Sequence, residues 1–172
     1  MADSQVKTAN ICNITSGTTL HSNSGGSGTY IADNSISVHM TSESSASGIY
    51  VDTLPEQSVI GDKYTISFVP VCATNNVMFV VLYGVTTRIS FTSGNRYTLT
   101  ITATAARNTV AFYGADSVEK TIIINDIQIE KGETATPYRP YSSTGWYHSL
   151  KKFDGTNWIN ATVKEWDGSD WS

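Results

Sequence analysis

Apolar and polar residues alternate with a period of two along most of the chain, the signature of strands with one face on a core. In Ser35 to Thr41, Ile36, Val38 and Met40 share one side, and Ser37 and His39 the other. Gly48 to Thr53 sets Ile49 and Val51 against Tyr50 and Asp52, and Lys63 to Val69 sets Tyr64, Ile66 and Phe68 against Thr65 and Ser67. Arg96 to Thr104 is the most regular, with Tyr97, Leu99, Ile101 and Ala103 inward and four threonines outward, as suits an exposed sheet face. Val77 to Tyr83 is apolar on both sides, and Thr121 to Glu130 carries Ile122, Ile123 and Ile124 before alternation resumes. Those two read as central strands covered on both sides, or as strands bordering a cleft. Asn108 to Tyr113 adds a short strand, and Asn10 to Thr15 an edge strand; Ser22 to Gly28 reads as a surface loop. No stretch sustains a 3.6-residue period with caps, so no long helix is expected. Roughly eight to ten short strands between Gly, Asn, Asp and Ser turns predict an all-β fold, a jelly-roll β-sandwich.

The sandwich is expected to end near residue 141. Thr134 to Tyr141 contains Pro137 and Pro140, reads as an extended exit segment and cannot continue a central strand. Beyond it, residues 142–172 hold all four tryptophans: Trp146, Trp158, Trp166 and Trp171. Phe153-Asp154-Gly155-Thr156-Asn157-Trp158 recurs as Trp166-Asp167-Gly168-Ser169-Asp170-Trp171. Asp-Gly favours a tight turn, so each copy predicts a hairpin-like turn with its flanking aromatics opposite one another, Phe153 with Trp158 and Trp166 with Trp171. Two such turns are not stable alone. The tail is expected to dock on its own sandwich, on a sister chain or on another protein, with Phe153, Trp158, Trp166 and Trp171 as assembly anchors.

Composition narrows the function. The chain has 172 residues, enough for one domain and an appendage; 40% are hydrophobic and only 15% charged, against about a quarter in an average domain. Net charge is -4, and no basic cluster exceeds Lys151-Lys152, which argues against a nucleic-acid partner. Cys12 and Cys72 have no metal-type spacing and read as buried, reduced thiols rather than a disulfide. Neither a signal peptide nor a membrane span is apparent, so synthesis in the cytosol and no membrane partner are expected.

No nucleophile, nucleotide or zinc-protease motif is present, and His21, His39 and His148 stand in unrelated contexts. Asp52, Glu56, Asp126 and Glu130 offer carboxylates, but nothing pairs two of them for glycoside hydrolysis, so a non-enzymatic module is expected. Glycan binding fits better, because sugars are held by aromatic stacking plus neutral or charged hydrogen-bonding groups. Candidates are Tyr30, His39, Tyr50, Tyr83, Arg88 and Tyr113; the same aromatics also suit core or rim positions. No cofactor is called for, although a structural calcium held by Asp126 with loop carbonyls is an option.

The run Ile124-Asn125-Asp126-Ile127-Gln128-Ile129-Glu130-Lys131-Gly132, continuing through Ala135-Thr136-Pro137-Tyr138-Arg139-Pro140-Tyr141, resembles the closing strand and exit of the carbohydrate-binding-module-like jelly rolls of bacteriophage tail and minor structural proteins. Upstream, Gly48-Ile49-Tyr50 and Gly61-Asp62-Lys63-Tyr64-Thr65-Ile66-Ser67-Phe68 are similar to that family's turn and strand, so the resemblance spans residues 10–141. The aromatic-Asp-Gly-x-x-Trp repeats are similar to those at the C-termini of virion proteins from phages of Gram-positive bacteria. The resemblance implies a virion structural or accessory protein of tail, baseplate, neck or capsid decoration. It further implies synthesis in the host cytoplasm, other virion proteins as partners and, by analogy, a trimer as the oligomer. The alternative it implies is an adhesin for host cell-wall polysaccharide. It also places Asp126 where related modules carry a calcium-binding acidic residue.

Overall fold

The computed structural model describes residues 10–42, 44, 46–52, 57–73, 76–116 and 118–141, and the backbone of 151–153 and 158–160. Among the described residues twelve strands form: β1 (Leu20–Asn23), β2 (Ser27–Ala32), β3 (Ser35–Met40), β4 (Gly48–Asp52), β5 (Lys63–Val71), β6 (Val77–Leu82), β7 (Val85–Ser90), β8 (Tyr97–Thr102), β9 (Thr109–Gly114), β10 (Lys120–Lys131), β11 (Lys151–Phe153) and β12 (Trp158–Asn160). One five-stranded sheet runs β1-β4-β9-β6-β7 and the other β2-β3-β10-β5-β8, every ladder antiparallel. The chain is an all-β sandwich. No helix among the described residues is long and apolar enough to cross a membrane.

The alternating positions form the core. Ile36, Val38, Ile66, Phe68, Ile122 and Ile129 face Ile49, Val51, Met78, Val80, Val110 and Phe112 from the other sheet, all at 0% exposure. Phe68 meets Phe112 edge-on across the interface, ring centres 5.7 Å apart. Each such side chain contributes about 1.5–3 kcal/mol through burial.

Two sequence expectations change. Asn10 to Thr15 is not a ladder strand. Its alternation holds, with Cys12 and Ile14 at 0% exposure. Beside β10, however, the amide of Ile11 donates to the Ile129 carbonyl (2.8 Å), while Asn10 Oδ1 accepts from the amides of Cys12 and Ile129. A side chain substitutes for the missing ladder. Ser22 to Gly28 is mostly strand, narrowed to a turn at Ser24-Gly25-Gly26, because Gly26 must pass over the Gly48 backbone; a Cβ there would lie 2.2 Å from the Gly48 nitrogen. Val85–Ser90, whose alternation is weak, adds an edge strand that the pattern did not reveal. Cys12 and Cys72 are both buried and not joined in a disulfide, and burial pushes the Cys12 thiol well above its ordinary pKa.

Strand β10 changes phase midway. Ile122 and Ile124 face the core, then Ile127 and Ile129 do, so even positions hand over to odd ones. A β-bulge absorbs the extra residue: Asn125 pairs with Val69, Gln128 already with Ser67, and Asp126 sits at φ 53°. The bulge turns Gln128 and Glu130 outward, yet both are buried, because the exit segment crosses over them. Glu130 accepts from the Thr136 amide (3.0 Å), the Thr136 hydroxyl (2.6 Å) and Gln128 Nε2 (2.8 Å). Gln128 Oε1 accepts from the Arg139 amide (2.7 Å), and Asn10 Nδ2 donates to the Arg139 carbonyl (3.0 Å). Those contacts explain the Gln-Ile-Glu and Thr-Pro-Tyr-Arg-Pro pattern physically: the strand's outward polar residues carry the bonds that strap 133–141 down.

Replacing Glu130 with Ala removes the acceptor of three hydrogen bonds, one buried and two part-buried, and is expected to cost about 2–3 kcal/mol. Urea denaturation should show the loss, and amide exchange should accelerate at residues 133–141. Wild-type exchange in that segment would refute the clamp.

Candidate functional site

The outer face of the β1-β4-β9-β6-β7 sheet collects three of the six predicted sugar-contact residues, Tyr50, Arg88 and Tyr113. Its strands turn Ile49, Val51, Val110, Phe112, Met78, Val80, Leu82 and Ile89 to the core, so the residues between them point outward by the period of two. Strand register then sets two rows. One runs His21, Tyr50, Ala111, Val81 and Thr86; the next runs Asn23, Gly48, Tyr113, Phe79 and Arg88. Tyr50 therefore has Ala111 as its cross-strand neighbour, and Tyr113 has Gly48. Small residues leave a flank of each ring uncovered, and the two tyrosines are diagonal neighbours, about 7–8 Å apart by ladder geometry.

Gly48 is constrained as well as convenient. A Cβ there would lie 2.1 Å from the Phe112 carbonyl oxygen, so no larger residue fits beside Tyr113. Tyr50 is exposed; the His21 ring stacks on its other flank at 4.6 Å and 8°. His21 Nε2 lies 3.7 Å from Asp52 Oδ2, holding the imidazole at the sheet edge. Tyr113 is half-buried; burial first, and then the nearby Tyr50, raise its phenol pKa. Arg88 is exposed and makes no ion pair or hydrogen bond among the described residues. The face offers stacking surface in its middle and a cation at one side.

Tyr50, Arg88 and Tyr113 thus share one face, joined by His21 and Phe79, which the sequence reading had not assigned to a glycan site. Period-two alternation in Val77 to Tyr83 already puts Phe79 opposite the core positions, but its pairing with Tyr113 and Arg88 is a matter of register. His39 lies on β3 in the other sheet, where it contacts Thr121 (3.3 Å) and Glu119 (3.8 Å). Tyr30, on β2 of that sheet, donates to Asp33 Oδ1 (2.8 Å). Tyr83 is a correction: it is 1% exposed, at φ 49°, with its ring edge-on to Tyr64 at 4.7 Å. The strand ends at Leu82, and the turn through Gly84 rolls Tyr83 into the core, where burial drives its phenol pKa strongly upward.

The surroundings of Asp126 do not fit calcium. That ion takes six to eight oxygens, but the Asp126 carbonyl accepts from Arg96 Nη2 (3.2 Å), which also donates to Ser67 Oγ (2.8 Å) and lies 5.3 Å from the centre of the Tyr138 ring. No cluster of three or more His, Cys, Asp or Glu with metal-binding geometry occurs among the described residues. A guanidinium supplies the local positive charge and ties bulge, β5 and strap together. Of the carboxylates considered for hydrolysis, Asp52 is on one sheet, Asp126 and Glu130 are on the other, and Glu56 is outside the described residues. A depression of about 280 Å³ is lined by Asn13, Ile14, Thr15, Asp33, Asn34, Pro140 and Tyr141, none of them on the aromatic face.

The tail is described only in part. β11 and β12 pair antiparallel, with Phe153 opposite Trp158, the register expected of the first repeat. His148, Trp146, Trp166 and Trp171 lie outside the described residues.

No family model matches the chain, and no curated protein does. Among solved structures, the N-terminal cellulose-binding domain of Cellulomonas fimi β-1,4-glucanase C is 14% identical, covers 78% of this chain and 100% of its own, and superposes with a TM-score of 0.45. The family 11 carbohydrate-binding module of a cellulosomal cellulase of Clostridium thermocellum is 11% identical, covering 77% and 97%, at 0.42. A xylanase 10B fragment from the same organism, complexed with xylohexaose, is 17% identical, covering 71% and 26%, at 0.40. At such distances the sandwich assignment rests on the strand ladders themselves.

The Tyr83 hydroxyl is buried without a hydrogen-bond partner among the described residues. Tyr83→Phe should therefore leave stability unchanged or raise it by up to about 1 kcal/mol, with ligand binding unaltered. Thermal denaturation and a binding titration check this; a loss of binding would return Tyr83 to the site.

Proposed function

We propose that the chain is a non-catalytic glycan-binding module of a bacteriophage virion, using the outer face of the β1-β4-β9-β6-β7 sheet. The observation that carries the binding reading is the alignment of Tyr50, Tyr113, Phe79 and Arg88 on one sheet face, with Gly48 and Ala111 opening space between the rings. Flat rings flanked by hydroxyls and a guanidinium form a surface on which a saccharide can stack and hydrogen-bond. The virion setting is supported by the sequence resemblance of residues 124–141 and of the Trp repeats to phage structural proteins. In this reading the sandwich is the presented part, and residues 142–172 join it to sister chains or other virion proteins.

A glycan array tests the binding reading, followed by titration of the best ligand. Tyr50→Ala and Tyr113→Ala should each weaken binding at least tenfold, about 1.4 kcal/mol, whereas His39→Ala on the opposite sheet should not. An array with no ligand, or binding indifferent to both tyrosines, defeats it.

Assembly is tested separately by deleting residues 146–172. Mass in solution should fall to that of a monomer, and incorporation into particles should cease. If the truncated chain assembles like the full one, the tail is not the attachment.

A further inference from the structure

The aromatic face has an uneven charge distribution. Among the described outward positions of β9, β6 and β7, Arg88 alone is charged. The face's one described carboxylate, Asp52, is on β4, three strands away and four residues further along, so at least about 14 Å off at a strand spacing of about 4.8 Å. That separation exceeds the screening length of about 8 Å at physiological ionic strength, and Asp52 is adjacent to His21 instead. The chain as a whole is acidic, with 15 Asp and Glu against 11 Lys and Arg. Several of its other cations are taken: Lys120 by Asp116, Lys63 by Glu133, Lys131 by Asp62 and Arg96 by Ser67 and Asp126.

Arg107 and Arg139 are likewise exposed and not so engaged, but of these three guanidinium side chains the one on a strand of the aromatic face is Arg88. It is exposed, without an ion pair or hydrogen bond among the described residues, and directly opposite Phe79, which is itself opposite Tyr113. A sugar ring stacked on Tyr113 and Phe79 would bring its ring substituents to the guanidinium. The guanidinium fork matches a carboxylate or a phosphate with two parallel hydrogen bonds, whereas a neutral hydroxyl uses only one. Resting on the glycan-binding reading above, we infer that this face selects negatively charged saccharides, with Arg88 taking the acidic group and the aromatic row holding the ring.

The test is an array of saccharides spotted in matched pairs, each charged member beside its neutralised form. Polygalacturonate is paired with its methyl ester, and phosphomannan with its dephosphorylated form, so the two arms separate carboxylate from phosphate. The wild-type protein should bind the charged member of at least one pair about tenfold more tightly. Arg88→Gln should bring that member down to the level of its neutral partner. Arg88→Lys, which keeps the charge and loses the fork, should recover only part of the preference. Equal binding within every pair overturns the inference and leaves glycan binding intact. A preference that survives Arg88→Gln overturns the role of Arg88. Binding to neither member of any pair defeats the glycan reading and this inference with it.

Discussion

The bulge at Asp126 is the constraint on which the rest of the sandwich depends. A strand whose inward set passes from Ile122 and Ile124 to Ile127 and Ile129 cannot lie in an unbroken ladder, because a one-residue slip sends every later side chain to the opposite face. The extra residue has to be absorbed locally, and the structure does so with Asp126 in the left-handed region. Three neighbours secure it: Ser35 Oγ accepts from the Asp126 amide (3.2 Å), the Asn34 carbonyl accepts from the Ile127 amide (2.8 Å), and Arg96 donates to the Asp126 carbonyl. Since β10 is the middle strand of its sheet, an error in its phase would disrupt the packing against both β3 and β5.

The phase change also divides the labour between the two sheets. By turning Gln128 and Glu130 outward, it gives the β2-β3-β10-β5-β8 sheet an outer surface of buried polar groups that need partners. The exit segment supplies them, and Thr65 and Ser67 on the neighbouring strand are buried along with them. That outer face is thereby partly occupied by the chain itself. The opposite sheet has no comparable strap among the described residues, and its outer face presents rings and one unpaired guanidinium. Occupation of one face by structure, with an open aromatic row on the other, is what directs the functional reading to the β1-β4-β9-β6-β7 sheet.

Glycine plays a comparable part at the site. Gly26 and Gly48 approach each other, and Gly48 also lies against the Phe112 carbonyl, so the backbones there pack where side chains would otherwise stand. The closeness draws β1 and β4 together and leaves the flank of Tyr113 clear. Fold and candidate site thus share one requirement: residues without a Cβ at the point where strands crowd.

The sequence by itself determined the fold class, most of the strands and nearly all of the core. Period-two alternation is a local property, and residues such as Ile36, Val38, Ile66 and Phe68 declare their face without reference to any other strand. It also marked Tyr50, Arg88 and Tyr113 as chemistry of interest. Tertiary structure alone decided that these three share a face while His39 faces the other way, since that depends on strand order and register between segments far apart in sequence. It alone decided that Tyr83, one residue past the end of β6, rolls into the core, because a turn breaks the alternation that would have kept it outside. It likewise assigned the charge beside Asp126 to Arg96, thirty residues distant in the chain, where local reading had suggested a metal ion. Alternation is written residue by residue, but the partners of a side chain are set by which strands the fold makes neighbours.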